Sequence, residues 1–128
     1  MTVGYLLAGF DLLNVRHLDL IGQAAERCSR LVVGVLSDDL VARLSGRDPV
    51  VGQDERAALV GHVRGVDQIS VRDSVAIPDL GVDVVVFAVD DEPVPLVARD
   101  IVTLTPSCTS RSPILRHALR RVDTEAAA

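Results

Sequence analysis

The sequence predicts an α/β fold, in which a single three-layer domain is built on a parallel five-stranded sheet. Two observations support this prediction. Segments with strand character alternate along the chain with segments of helical periodicity. The strongest strand segments are unbroken apolar runs, which is typical of a parallel sheet whose two faces are both covered. We therefore expect one domain over residues 1–122 and a flexible tail at 123–128.

The first half of the chain contains two predicted strands and three predicted helices. Apolar residues recur at steps of three and four in the first helix, and Gly46 ends the second. The third opens with two acids, which the helix dipole favours in a first turn. The strands are predicted at 3–8 and 31–36, and the helices at 14–28, 38–44 and 54–63. The face of the first helix expected to pack on the core comprises Val15, Leu18, Ile21, Ala25 and Cys28.

The second half of the chain repeats the alternation with shorter elements. Strands are predicted at 68–71, 83–89 and 101–104, and a last helix at 112–122 with Pro113 near its first turn. Parallel sheets of this kind bind ligands beyond the carboxyl ends of their strands. The loops expected to form a binding site are therefore 8–17, 37–53, 89–97 and 105–112.

Composition restricts the class of function. The net charge of −5 disfavours a broad electrostatic hold on nucleic acid. No apolar stretch is long enough to span a membrane and no signal layout is present, so a cytoplasmic protein with reduced cysteines is expected. All 13 basic residues are arginine, which excludes a lysine Schiff base and a P-loop with its lysine. Phosphate recognition would have to use arginine, histidine, hydroxyls and backbone amides.

Four segments carry a family resemblance. "GFDLLNVRH" resembles "GTFDLLHxGH", the signature of the nucleotidyltransferase superfamily in its cytidylyltransferase branch. "RLVVGVLSDD" is similar to the second strand and "STD" turn of that family, and "DERAALVGHVRGVDQI" to its "ERxxLLxxxRxVDEV" segment. "TPSCTSRSPILR" is similar to the last motif, "RTxGISTTxI". The pattern is closest to that of the glycerol-3-phosphate cytidylyltransferases.

The resemblance implies a Rossmann-like fold and a direct transfer reaction. A nucleotide would pass from CTP to a small phosphorylated acceptor of the polyol phosphate class, with release of pyrophosphate. An acceptor phosphate is already an anion, so the protein has to position the reactants and stabilise charge on phosphate oxygens. The resemblance also implies Mg²⁺ as cofactor and a homodimer. Adenylyl transfer is an alternative, because both branches share the signature.

The resemblance also assigns roles to individual residues. Catalytic roles fall on His17, Asn14 and Arg64, and Asp11 would in addition help to hold the metal. We expect Asp11, His17, Arg64 and the hydroxyls of 109–112 to surround one anion-sized hollow. The residues matched to nucleotide binding are Gly9, Phe10, Asp11, Arg16, Arg56, Asp90, Thr109, Ser110, Arg111 and Ser112.

The sequence departs from the family at the first motif. Asn14 replaces the first histidine and Arg16 replaces the glycine. Of the two histidines in the family motif, only His17 remains. Asn14 can donate a hydrogen bond but cannot carry a positive charge, and Asn is also a preferred helix N-cap. Thr105 stands where the family has an arginine in the last motif. A second hypothesis is therefore a catalytically inactive relative that serves as a nucleotide-binding or scaffold module.

Each matched residue also has an ordinary structural explanation. His17 would then be an amphipathic-helix histidine, and Asp11 a turn-forming acid. Arg56 and Arg64 would be solvated helix arginines, and the hydroxyls of 109–112 would mark a helix start. The two explanations are not exclusive, since a cap at Asn14 is compatible with a phosphate contact.

Overall fold

The computed structural model describes residues 1–89 and 94–107. All five strands pair in parallel, in the order β3-β2-β1-β4-β5. The prediction of a parallel α/β Rossmann-like sheet is thereby confirmed. In chain order the elements are β1 (Val3–Ala8), α1 (Val15–Glu26), β2 (Arg30–Leu36), α2 (Asp38–Ser45), α3 (Gln53–Gly61), β3 (Gln68–Arg72), β4 (Val84–Val89) and β5 (Ile101–Leu104).

Successive side chains of the central strands pack on opposite faces of the sheet, as the two-residue period of a strand requires. Leu6 and Ala8 of β1 join the apolar cluster that α1 and α3 cover. Tyr5 and Leu7 join the cluster on the other face, to which α2 contributes Leu40. Because both faces are covered here, β1 and β2 are buried almost without interruption, as their unbroken apolar sequences predict.

The predicted elements agree with the structure to within one or two residues at each end. The bounds of β1 and β5 are those predicted, and Gly46 ends α2 in the left-handed conformation with φ of 76°. The helix predicted at 112–122 and part of the loop after β4, residues 90–93, lie outside the described residues.

The predicted core face of α1 is partly wrong. Val15 and Leu18 are exposed, with 56% and 45% of their surfaces accessible. The buried residues of this helix are His17, Leu20, Ile21 and Ala24. The apolar pattern gave the wrong phase because one interior position is held by a histidine, which a count of apolar residues passes over.

The strand order defines where a ligand crevice can form. The chain leaves β1 toward β2 and β3, and then crosses back to place β4 on the other side of β1. This reversal makes the carboxyl ends of β1 and β4 the switch point of the sheet, where open α/β sheets bind their ligands. The loop 9–14 after β1 therefore lies at the edge of the sheet where a site is expected.

The β4–β5 side of the sheet is more open. Residues 73–83, which connect β3 to β4, form no helix. A groove of about 290 Å³ lies there, lined among others by Leu80, Val84 and Val97. These residues precede β4 and β5 or begin β4, so the groove lies at the amino ends of the strands and is separate from the carboxyl edge. In the part of the chain that the structure describes, no helix is long and apolar enough to cross a membrane.

Candidate functional site

The turn that follows β1 has an unusual backbone. Phe10 and Leu12 adopt left-handed conformations with φ of 56° and 52°. Residues other than glycine rarely adopt this backbone conformation, and each instance costs of the order of 1–3 kcal/mol. Phe10 is nonetheless 2% exposed, so its buried ring helps to hold the turn in place. The strain is concentrated at the switch point of the sheet, directly before α1.

Asn14 is the N-cap of α1, as the structural explanation predicted. Its side-chain oxygen accepts a hydrogen bond from the amide of Arg16 at 2.9 Å and also bonds the amide of His17. Its side-chain amide donates to the carbonyl of Leu12 at 3.0 Å. Two of the first backbone amides of the helix are thus occupied by the cap. They are among the donors that an anion at a helix N-terminus uses.

His17 completes a capping box with Asn14. The backbone amide of Asn14 donates to Nδ1 of His17 at 3.2 Å. Because a backbone N–H can only donate, Nδ1 has to carry the lone pair, and the neutral ring carries its proton on Nε2. His17 is 2% exposed and its ring meets the ring of Phe10 edge-on, with centroids 5.6 Å apart. The turn and the helix together fix the imidazole as an Nε2 donor.

Asp11 closes the loop that follows α2. Its two carboxylate oxygens accept hydrogen bonds from the amides of Val50 and Val51, both at 2.9 Å. The residue is 8% exposed. A carboxylate that accepts from two successive backbone N–H groups is fixed in position and orientation. Asp11 therefore ties the loop 46–52 to the turn after β1.

Arg56 lies beneath the same loops and is 1% exposed. Four of its five N–H groups donate to protein oxygens, at 2.7–2.8 Å. The acceptors are the carbonyls of Gly9, Leu36 and Val51 and the carboxylate of Asp38. One side chain therefore joins the carboxyl ends of β1 and β2, the start of α2 and the loop before α3. Sequence matching placed this arginine on the nucleotide; the structure shows it bonded to the backbone that frames the site.

The turn after β2 is fixed by its own side chains. Ser37 caps α2, accepting from the amide of Leu40 at 3.1 Å and donating to Asp73 at 2.6 Å. The amide of Asp38 donates to the side chain of Gln53 at 2.9 Å. The serine and the acid of the "LSDD" turn therefore serve to join α2 to its neighbours at the carboxyl edge.

Mg²⁺ binding, which the resemblance implies, stays a prediction. Among the described residues no group of three or more His, Cys, Asp or Glu side chains could hold an ion. Both oxygens of Asp11 are already engaged by backbone amides. Mg²⁺ requires near-octahedral oxygen ligands and often takes them from substrate phosphates and water. The metal-ligand role that the resemblance implied for Asp11 stays a prediction, since a carboxylate oxygen that accepts one hydrogen bond keeps a further lone pair.

Arg64 is not brought together with His17. α3 runs from the carboxyl edge of the sheet to its amino edge, a length of about 13 Å for nine residues. Arg64 lies three residues beyond Gly61, the last residue of this helix. Three residues later, the amide of Asp67 bonds the carbonyl of Leu31 at the amino end of β2, at 3.0 Å. Arg64 is exposed at that opposite edge. Among the described residues, Arg64 therefore lies away from Asp11 and His17, with which it was expected to share one hollow.

The segment after β5 reaches back to α1 through contacts that the sequence did not indicate. The carboxylate of Asp19 accepts from the amide and the hydroxyl of Ser107, both at 2.8 Å. The side chain of Gln23 donates to Asp19 and to the carbonyl of Thr105, both at 2.9 Å. Asp90 and the four residues 109–112 lie outside the described residues, and their predicted nucleotide contacts stay predictions.

Cys28 has no catalytic character. It is a free thiol that donates to the carbonyl of Ala24 at 3.3 Å. Burial raises the pKa of the Cys28 thiol, which disfavours the reactive thiolate.

Fold and site together define an α/β domain with a histidine-bearing helix start at the switch point of a parallel sheet. The family model described as cytidylyltransferase-like matches residues 6–110. The chain belongs to this cytidylyltransferase-like family. This confirms the resemblance seen in the four sequence segments.

Individual relatives agree with this assignment. The bifunctional protein HldE of Hyphomonas neptunium is 35% identical over 107 residues, which cover 80% of this chain and 22% of the relative. HldE of Granulibacter bethesdensis is 38% identical over 68 residues, or 52% of this chain and 14% of the relative. This chain thus spans less than a quarter of the length of either relative.

A solved structure shares the fold. The lipopolysaccharide core biosynthesis protein from Thermoplasma volcanium superposes with a TM-score of 0.64. The match covers 86% of this chain and 99% of that one, at 18% sequence identity. Similarity at this level of identity shows a common fold.

Proposed function

We propose that this protein is a nucleotidyltransferase that transfers the nucleotide of CTP to a small phosphorylated acceptor of the polyol phosphate class. The observation that carries the proposal is His17, which is buried at the start of α1 with its Nε2 proton fixed by the capping box. Membership of the cytidylyltransferase-like family supports the same conclusion. A homodimer belongs to this proposal through the family resemblance, and a cytoplasmic location through the expectation drawn from the sequence.

The reaction needs positioning more than acid–base chemistry. An oxygen of the acceptor phosphate forms a bond to the α-phosphorus of CTP, and the bond from that phosphorus to the bridging oxygen breaks. Pyrophosphate leaves with the electron pair. The acceptor is already an anion, so no side chain has to remove a proton. When bound, Mg²⁺ would neutralise charge on the triphosphate.

His17 supplies the hydrogen bond that this reaction requires from the protein. Its neutral ring can donate from Nε2 to a phosphate oxygen on which charge accumulates. The strained turn at Phe10, held by the bonds of Arg56 to Gly9 and of Asp11 to the next loop, keeps the imidazole in place. A donor that does not have to reorganise during the reaction is worth more than a mobile one.

The substrate test is a panel of nucleoside triphosphates and acceptors, followed by pyrophosphate release. We expect release with CTP and a phosphorylated polyol or sugar, and little without an acceptor. Faster pyrophosphate release with ATP than with CTP would show adenylyl rather than cytidylyl transfer, by the same mechanism. Absence of release from every pair, with the protein folded, would contradict the proposed activity.

A second candidate function is a nucleotide-binding module without turnover. The observation that favours it is the cap at Asn14, which occupies the amides of Arg16 and His17. Nucleotide-dependent thermal stabilisation without pyrophosphate release would support this candidate.

A restoration experiment separates the two candidates. The double substitution Asn14→His with Arg16→Gly rebuilds the family motif at the start of α1. Loss of the Asn cap should cost about 1 kcal/mol of stability, while turnover should rise if the missing imidazole limits the reaction. The single substitution Arg16→Gly is the matched control. A double variant that binds CTP and still releases no pyrophosphate would favour the binding module.

A further inference from the structure

The start of the last sequence motif is fastened to the outer face of α1. Asp19 and Gln23 of α1 hold Thr105 and Ser107 through three hydrogen bonds, and a fourth joins Gln23 to Asp19, all at 2.8–2.9 Å. These four residues are called the latch below. Asp19 accepts three of the bonds, two of them from Ser107, across 88 positions in sequence.

The location of the latch connects it with the proposed reaction. Asp19 lies two residues after His17 on the same helix, and Gln23 one turn further along. Thr109, the first predicted nucleotide-contacting hydroxyl, follows Ser107 by two residues. Two residues of extended chain span at most about 7 Å, so the position of Ser107 limits where Thr109 can act. The latch thus sets the starting point of the hydroxyl-rich motif relative to His17.

The chemistry of the latch suits a fixed anchor. A carboxylate that accepts from both the amide and the hydroxyl of one residue fixes its position and its orientation. Gln23 donates to the carboxylate and also to the carbonyl of Thr105, so the backbone is held on both sides of Pro106. Pro106 restricts the backbone between the two attachment points.

We propose that Asp19 is a positioning residue, which through Ser107 sets where the last sequence motif begins relative to His17. The inference rests on the proposed function, since it assigns that motif to the triphosphate. The role is specific to the carboxylate: alanine removes all three bonds to Asp19, whereas asparagine keeps one oxygen acceptor. Gln23 acts in support, because its amide orients that carboxylate.

The test compares wild type with Asp19→Ala, Asp19→Asn, Ser107→Ala and the double variant Asp19→Ala with Ser107→Ala. Glu26→Ala is the matched control, an exposed acid at the other end of the same helix. Two quantities are measured: hydrogen exchange of the Ser107 amide, and the KM for CTP and kcat of pyrophosphate release. ATP replaces CTP if the substrate panel favours it.

The latch predicts a defined pattern. Asp19→Ala should speed exchange at Ser107 and raise the KM about tenfold, the ordinary worth of hydrogen bonds to a charged group. Asp19→Asn should recover part of the loss. The double variant should lose little more than Asp19→Ala, since both substitutions break the same contact. Glu26→Ala should match wild type in both measurements.

Failure of the inference can be told apart from failure of the proposed function. Wild type that neither binds nucleotide nor turns over overturns the proposed function before any variant is compared, and the positioning role with it. Active wild type with Asp19→Ala unchanged in KM and kcat overturns only the latch. Unchanged exchange at Ser107 in Asp19→Ala, or fully additive losses in the double variant, also overturns it.

Discussion

The loops at the carboxyl edge of the sheet are held in two different ways. On the β2 side, two buried residues hold them from below through separate contacts: Arg56 and Asp11, each with less than a tenth of its surface exposed. After β5, the chain is held from outside by Asp19, a side chain only partly buried. The difference shows that the burial of a contact decides how much its loss lowers the stability of the fold. A buried charge that loses its partner destabilises the fold. Loss of a surface contact changes the free energy of unfolding little, although the contact can still fix the position of a segment.

The largest expected effect is that of Arg56→Met on stability. The substitution keeps a similar length but removes every donor to the carbonyls of Gly9, Leu36 and Val51. We expect a loss of about 3–5 kcal/mol in the free energy of unfolding, as for other buried charged networks that lose one partner. Urea unfolding monitored by circular dichroism measures it.

The control for this substitution is Arg64→Met, at an exposed arginine beyond the end of the same helix. Its effect should stay within about 0.5 kcal/mol. Equal losses in the two variants would show that the buried network does not stabilise the site framework.

Asp11→Asn is expected to have the next largest effect. Asparagine offers one oxygen to the two amides of Val50 and Val51, so one buried donor loses its acceptor. The expected loss is about 1–3 kcal/mol in the free energy of unfolding. The exposed Asp100→Asn is the matched control. Unchanged stability, with a changed Mg²⁺ dependence of turnover, would instead make Asp11 a metal ligand.

The smallest effect concerns the titration of Asp19. The backbone amide of Ser107, its hydroxyl and the side chain of Gln23 together hold the pKa of Asp19 below its ordinary value of 3.8, against a smaller opposing effect of burial. Because folding lowers the pKa of Asp19, the contact between Asp19 and Ser107 contributes its full stability at pH values above the ordinary pKa. That contribution is lost as the pH falls through the lowered pKa of the folded state. Carboxyl NMR titration measures the shift.

Two results sharpen this last prediction. In Ser107→Ala the pKa of Asp19 should move part of the way back toward 3.8, since the hydroxyl is lost and the amide stays. An Asp19 that titrates at its ordinary value in wild type would mean that the latch is open in solution.

Local features of the fold could be predicted from the sequence because they depend on neighbouring residues. The bounds of β1 follow from an apolar run, and Asn14 was a plausible cap because its side chain satisfies nearby amides. The strand order could not be predicted, since periodicity does not say which strands become neighbours. His17 was found through the family motif; its burial conflicted with the apolar pattern of α1.

The long-range contacts of the site were beyond sequence reasoning. Arg56 and Asp11 were both matched to the motif, yet their partners lie up to 47 positions away, and no local signal reveals such bonds. Asp19 and Gln23 have the spacing of any solvated pair on a helix, and nothing marks them as partners of Ser107. Arg64 was matched by sequence alone, and the direction of α3 carries it to the other edge.

The central claim, that the imidazole of His17 serves phosphate transfer, has one direct test. In His17→Gln, the side-chain oxygen can replace Nδ1 as acceptor for the amide of Asn14, because glutamine is a usual partner in a capping box. The fold is thereby preserved while the imidazole is lost, and the amide N–H that glutamine brings is not held in place as the ring against Phe10 is. Pyrophosphate release from CTP and the best acceptor is compared with wild type and with His62→Gln, at an exposed histidine. We predict a fall of about a hundred- to a thousandfold in kcat for His17→Gln alone. Wild-type rates in a folded His17→Gln variant would contradict the account.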